Sequence, residues 1–230
     1  MKIKAQVPNI LTAGNLVCGC IGIVMVLSGK VEMAPVAVVL AAVFDFFDGF
    51  AARLLKVSSA IGKELDSLAD MVSFGVLPAV TVYQLLKASQ PNEFLPYIAF
   101  LIAVFSAFRL AQFNIDTRQS DKFIGVPTPA NALFFTCLVW TAGAFPIVVN
   151  TYVLVGLTLL FSWLLVSPFE MIALKFKSFG WAGNQPKHLV ILMAMLVIVV
   201  GGYTLLPLVI LLYVFTSILS HLFQTKSPAS

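Results

Sequence analysis

Eight apolar stretches, each about as long as a bilayer's hydrocarbon core is thick, leave this chain few ways to fold. They fall at about residues 8–28, 34–54, 61–86, 94–114, 129–149, 151–170, 188–203 and 204–222. Lipid cannot satisfy a peptide N–H or C=O, so each stretch must close its own hydrogen bonds, and apolar runs of this length predict helices. Where no polar residue separates two runs, helix breakers must place the boundary, and Pro146, Gly201, Gly202 and Pro207 stand at such points. The chain is 60% apolar and only 10% charged, with a mean hydropathy of +1.00, which excludes a soluble domain of ordinary composition. The expected fold class is all-α: a polytopic transmembrane helical bundle of about eight spans. Residues 1–230 form one domain, because neither an internal repeat nor a low-complexity tract divides them. The extended polar connections lie at about residues 116–128 and 175–187, and the Ser-Pro-Ala-Ser end after Lys226 reads as a frayed tail.

Basic residues set the orientation. Of 14 lysines and arginines, only Lys30 and Lys87 fall on one side of an eight-span arrangement. Lys2, Lys4, Arg53, Lys56, Lys63, Arg109, Arg118, Lys122, Lys175, Lys177, Lys187 and Lys226 all fall on the other. The positive-inside rule therefore puts both termini in the cytoplasm of an inner-membrane protein. The net charge of +4 reflects this asymmetry; it points to anionic lipid at the inner leaflet and to no nucleic-acid partner. The first apolar run has no small-residue cleavage site after it, so the first span is expected to stay.

Four aspartates interrupt this apolar pattern. Asp45 and Asp48 precede a short basic turn around Val57, and Asp66 and Asp70 follow it. An ionisable group within a span is costly enough to mark a functional site, usually facing a cavity or an ion. Three- and four-residue spacings put each pair on one helix face. Small residues share those faces, Gly49 and Ala52 on the first and Gly62 and Ala69 on the second, so backbones can approach each other or a ligand there. Counting from Val57, Asp48 and Asp66 are equally deep in an antiparallel hairpin, and Asp45 and Asp70 nearly so. Four carboxylates meeting this way ask for hard divalent cations, Mg2+ or Mn2+, and two such ions are a known device for phosphoryl transfer. Arg53 and Lys56 add positive charge suited to a diphosphate. A proton or cation relay, or ion pairs from Arg53 and Lys63 to the acids, is the competing reading of the same charges.

The remaining reactive side chains read more simply. Cys18, Cys20 and Cys137 sit in apolar helices, where free cysteine is usually a packing residue. Cys18 and Cys20 point in nearly opposite directions and make a poor metal pair. His188 and His221 lack acidic or histidine neighbours at ligand spacing and read as interfacial or packing residues.

Residues 45–70 carry D-x2-D-G-x2-A-R-x8-G-x3-D-x3-D, matching at all eight fixed positions the signature of the CDP-alcohol phosphotransferase family. This resemblance implies an integral membrane enzyme, typically a homodimer on a six-helix core, that moves a phosphatidyl or related group from a CDP-linked donor to an alcohol and releases CMP. Here the core would cover about residues 8–170, with two further spans at about 188–222. By motif position, Asp45, Asp48, Asp66 and Asp70 would hold two divalent ions, and Asp70 would also be the general base for the attacking hydroxyl. Asn9, Thr12, Gly49, Ala52, Arg53, Ser59 and Gly62 would hold the CDP donor.

Three segments outside the signature resemble the phosphatidylserine synthase branch: Pro8 to Thr12 with Asn15, Cys18 and Gly19; Phe108 to Asn114; and Gly125 to Ala130. The implied substrates are CDP-diacylglycerol and L-serine, with the donor's tails left in the membrane lipid. Gln112 departs from that branch, where a second basic residue is expected. Arg109 suits the serine carboxylate, with Asn114 as a polar contact; the other reading of Arg109 is a cytoplasmic anchor at the end of its helix. The Gly125–Pro129 segment also reads as a rigid turn on its own chemistry. Glycerol 3-phosphate or inositol phosphate as acceptor, and a metal-cation transporter, are the alternatives. The phosphate acceptors ask for more basic residues than this chain offers, and a transporter commonly has an inverted repeat.

Overall fold

The structure, a computed structural model, describes residues 6–57, 59–89, 92–116, 123–172 and 185–225. The expected tail after Lys226 and the basic residues Lys2, Lys4, Arg118, Lys122, Lys175 and Lys177 lie outside the described residues. Helices occupy every expected apolar stretch. In order they are α1 (Gln6–Leu27), α2 (Ala34–Leu55), α3 (Ala60–Asp70), α4 (Leu77–Ser89), α5 (Leu101–Ile115), α6 (Thr128–Thr141), α7 (Thr151–Leu165), α8 (Gln185–Gly201) and α9 (Leu206–Thr225). The protein is an all-α polytopic membrane bundle. Five helical stretches among the described residues, 6–27, 31–55, 60–89, 95–115 and 190–223, are long and apolar enough to cross a bilayer.

Local chemistry explains the boundaries. Helix α2 ends where Lys56 adopts φ +51° and its N–H reaches back to the carbonyls of Ala52 and Arg53, a left-handed cap that stops the helix. Ser59 then caps α3, its Oγ accepting from Gly62 N at 2.9 Å. Helices α3 and α4 form one rod interrupted by a wide π-helical turn, Met71–Val76, which begins at the residue after Asp70. The sixth helix stops at Thr141, well before the expected end near 149; Gly143 and Pro146 break it, and a short 3₁₀ turn, Pro146–Val149, leads into α7. Helices α8 and α9 are joined by a 3₁₀ turn, Gly202–Leu205, with Gly202 at φ +56°. The chain reverses there, since Val190 packs in one cluster with Tyr213 and Val214.

The sequence pattern did not anticipate a two-stranded clip. Strands β1 (Phe123–Ile124) and β2 (Glu170–Met171) pair antiparallel, Phe123 opposite Met171. Gly125 N donates to Phe169 O at 2.9 Å and Val126 N to Leu164 O at 3.1 Å, fastening the start of α6 to the end of α7. Gly125 has φ +73°, and any side chain there would run into the Leu165 carbonyl, which explains glycine in this turn.

Besides the cluster of Val190, Tyr213 and Val214, two larger apolar clusters hold α1 to α7 together. Phe134 and Phe161 stack at 4.1 Å between centroids, and with Phe135, Leu86 and Ile102 they join α4, α5, α6 and α7. Val26, Val38, Ala41, Phe74 and Leu77 join α1, α2 and the α3–α4 rod. Large apolar side chains such as Ile10, Val24, Phe46 and Val199 point outward, as a lipid-facing surface requires. All three cysteines are free; Cys137 packs in the core, Cys18 is half-buried and Cys20 faces out.

Candidate active site

The acidic pairs meet as the helical spacing predicts. Asp45 and Asp48 on α2 and Asp66 on α3 bring ligand oxygens within 4.8 Å of one another. Asp70, one turn beyond Asp66, is not part of this closest group, but it lies within Coulombic range of Asp45, Asp66 and Asp48. Mutual repulsion among carboxylates at this distance, away from bulk water, favours a shared cation. Asp66 Oδ1 is buried with no hydrogen-bond partner, an unfilled acceptor within the triad. An oxygen-only donor set with a free buried oxygen fits a hard divalent ion.

Helix α1 orders two of the acids. Thr12 Oγ1 donates to Asp48 Oδ2 at 2.6 Å, and Asn15 Nδ2 donates to Asp70 Oδ1 at 3.0 Å. Thr12 and Asn15 are three residues apart, hence on one face of α1. Asn15 is itself held, its backbone carbonyl accepting from Ser73 Oγ at 2.9 Å within the π turn. That bond needs α1 close to the rod: a Cβ on Gly19 would lie 2.9 Å from Ser73 Cα. The sequence alone gives Asn15, Gly19 and Ser73 no task; the structure does. The available signal was the i, i+3 relation of Asn15 to Thr12.

A cavity of about 280 Å³ opens beside the triad, where α1 begins, α2 ends and α3 begins. Asp48 and Asp66 line it, together with Asn9, Thr12, Gly49, Ala52, Ser59 and Gly62. Every residue expected to hold a CDP donor is on this wall except Arg53, which is exposed at its edge. The Arg53 guanidinium leans over Gly49, where an added Cβ would lie 3.6 Å from one of its nitrogens. A Cβ on Gly62 would come 2.9 Å from Ser59 Oγ and 3.1 Å from Asn9 Oδ1, so glycine keeps this side of the cleft open. Ser59 therefore both caps α3 and faces the cavity.

The two residues expected at the acceptor differ. Arg109 is 6% exposed, with six further helical residues after it, so it does not snorkel to the surface as an anchor would. Its guanidinium lies within Coulombic range of Asp70, and its Nε has no hydrogen-bond partner. Asn114 is already engaged: its Nδ2 donates to Ser67 Oγ at 2.8 Å, and its backbone carbonyl accepts from Lys63 Nζ at 2.7 Å. The structure brings Asn114 against the side of α3 that carries Lys63 and Ser67.

Fold and site together define an integral membrane protein with a carboxylate-walled cleft at one end of its bundle. Residues 5–167 match the CDP-alcohol phosphatidyltransferase family, and the chain belongs to that family. It is similar to the CDP-diacylglycerol–serine O-phosphatidyltransferase of Bacillus subtilis, 34% identical over 149 residues that cover 63% of this chain and 81% of that protein. The enzyme of the same name from Helicobacter pylori is 40% identical over 128 residues, 55% of this chain and 54% of its own length. That from Mycobacterium tuberculosis is 28% identical over 232 residues, covering 94% of this chain and 76% of the relative.

Proposed function

We propose that this chain transfers the phosphatidyl group of CDP-diacylglycerol to the hydroxyl of L-serine, giving phosphatidylserine and CMP. The observation that carries the reading is the cavity that gathers two of the acids and six of the seven residues expected to hold a CDP group. The names of the relatives support the pair of substrates. Family membership favours transfer over passage of a metal ion through the acids.

In this reading Asp45, Asp48, Asp66 and Asp70 hold two Mg2+ or Mn2+ ions. Bound there, the ions would supply positive charge to the donor's diphosphate. Arg53 adds a bidentate grip on the same group, and Asn9, Thr12, Gly49, Ala52, Ser59 and Gly62 shape the wall against which the nucleotide lies. Arg109 takes the serine carboxylate in a planar fork. Asn15 occupies one oxygen of Asp70 and leaves the other to receive the proton of the serine hydroxyl. The hydroxyl oxygen bonds to the phosphatidyl phosphorus while the bond from that phosphorus to the bridging oxygen breaks, and CMP leaves with the bridging oxygen and its electron pair. Asn114 ties α5 to α3 and supports Arg109 from a distance.

The site opens to the cytoplasm, as do both termini of a single catalytic domain with eight passes through the inner membrane, and two copies associate. The test is CMP release by purified protein in detergent with CDP-diacylglycerol, Mg2+ or Mn2+, and serine, glycerol 3-phosphate or inositol phosphate in turn. Stimulation by serine alone is expected. Stimulation only by either phosphate-bearing acceptor sinks the serine assignment.

A further inference from the structure

Helix α5 lies antiparallel to the α3–α4 rod, in a register that two contacts fix. Asn114 Nδ2 donates to Ser67 Oγ at one end of the pairing, and at the other a Cβ added to Gly75 would come 3.2 Å from Ser106 Cβ. The two contacts are eight residues apart on α5 and eight apart on the rod. Arg109, one turn from Ser106, therefore stands about level with the residues that follow Asp70.

The start of α6 and the end of α7 reach the same end of the bundle. Phe113 of α5 and Phe123 of β1 stack at 6.3 Å between centroids, and Val126 N donates to Leu164 O at 3.1 Å. Farther from that end, Ile102, Phe134 and Phe161 meet in one buried cluster. Ser106 is one turn nearer the site than Ile102 on the same face of α5, and Asn131 one turn nearer than Phe134 and Phe135 on the same face of α6. A polar layer thus rests on an apolar floor, with Arg109 one turn above it.

That layer is unsatisfied. Asn131 and Ser106 are fully buried, and Asn131 Oδ1, Asn131 Nδ2 and Ser106 Oγ have no hydrogen-bond partner among the described residues; neither has Arg109 Nε. Buried polar atoms left unpaired are costly, so a group of them drawn from two helices marks a place that a polar guest completes. Asn131 Oδ1 and Ser106 Oγ can accept, while Asn131 Nδ2 and the guanidinium can only donate. Acceptors and donors side by side suit a guest that carries an ammonium next to a carboxylate, as an α-amino acid does.

We propose that Asn131 and Ser106 form an ammonium subsite of the acceptor pocket, taking the amino group of an α-amino acid whose carboxylate lies on Arg109. This deepens the serine reading given above and rests on it.

The test uses the full chain in detergent with Mg2+ and CDP-diacylglycerol. Asn131→Leu keeps nearly the same volume and removes the polarity. It should raise KM for serine about 10–100-fold, the loss expected when hydrogen bonds to a charged group disappear, and leave KM for CDP-diacylglycerol unchanged. 3-Hydroxypropionate has the hydroxyl and carboxylate of serine without the ammonium, so preference for serine over it should fall by the same factor. Thermal melts separate binding from packing. Without serine the variant should melt no lower than wild type, because it exchanges an unpaired amide for an apolar side chain; added serine should raise the Tm of wild type and not of the variant. Ser106→Ala should raise KM for serine about threefold, and it decides alone if Asn131→Leu does not fold. An unchanged serine KM overturns the proposal, as does a lower Tm without serine beside equal losses on serine and 3-hydroxypropionate, the mark of a layer that only packs or holds water. Wild type that ignores serine overturns the substrate reading and this inference together; wild type that uses serine beside an unaffected Asn131→Leu overturns only this one.

Discussion

The α2–α3 and α8–α9 hairpins share an architecture, two helices reversing over a short turn, and have opposite chemistry. The first carries four aspartates and a cavity at its turn end. The second is apolar nearly all round, and few of its described residues are fully buried inside the protein. In a soluble protein the more apolar element would be the better buried. Here lipid takes the apolar faces, and the protein interior is where polar groups must go. The polar interruptions of a span therefore say more about function than its length does; on α9, Tyr213 and Ser217 turn inward and bond to the backbone of Ile172 beside β2.

The sharpest way to break this contrast is to remove the ions. Chelation by EDTA should bring CMP release to background, and Mg2+ or Mn2+ should restore it; turnover that survives chelation removes the metal reading of the acids. Next in size is Asp70→Asn, expected to lower kcat by about 10²–10⁴-fold while circular dichroism and donor binding stay as in wild type. Near-normal turnover would take the base away from Asp70. Smaller effects belong to the residues of α1 that hold the acids. Thr12→Val and Asn15→Ala should each cost about 10–100-fold in activity or apparent metal affinity, read from Mg2+ titrations of CMP release, and indifference would mean that α1 only packs. The mildest change sharpens the other side of the comparison: Val199→Ala, at a position 83% exposed, should alter stability by no more than about 0.5 kcal/mol in a thermal melt. A larger loss would mean that something covers α8.

The acids were legible because their spacing is a local property of a helix. Asp45 with Asp48 and Asp66 with Asp70 share faces before any tertiary contact forms, and the depth count from Val57 brings the pairs level. The same holds for Gly49, Ala52 and Gly62, whose small side chains leave room for the cavity at whatever crossing angle α2 and α3 adopt. Asn15 and Ser73 were harder, because which residue of α1 meets which turn of the rod depends on helix rotation, which apolar patterning in lipid leaves nearly free. The bonds of Asn114 to Ser67 and Lys63 were not legible either, because they depend on how α5 packs against α3, and no spacing rule within one helix gives that. The β1–β2 clip is two residues long on each side, too short for alternation to register.

The wide turn at Met71–Val76 does more than hold Ser73 against Asn15. A π-helical turn accommodates an additional residue, so the half of the rod that carries Asp66 and Asp70 and the half that carries Leu77 are out of step by about 100° relative to an uninterrupted helix. Deleting one residue there would let the rod wind as ordinary α-helix and swing one half about its axis, turning the acids away from α2 while every side chain of the cleft remained in the chain. Loss of a single letter from this short stretch should therefore disable the protein more thoroughly than most exchanges within it, and natural length variation should stop at its borders.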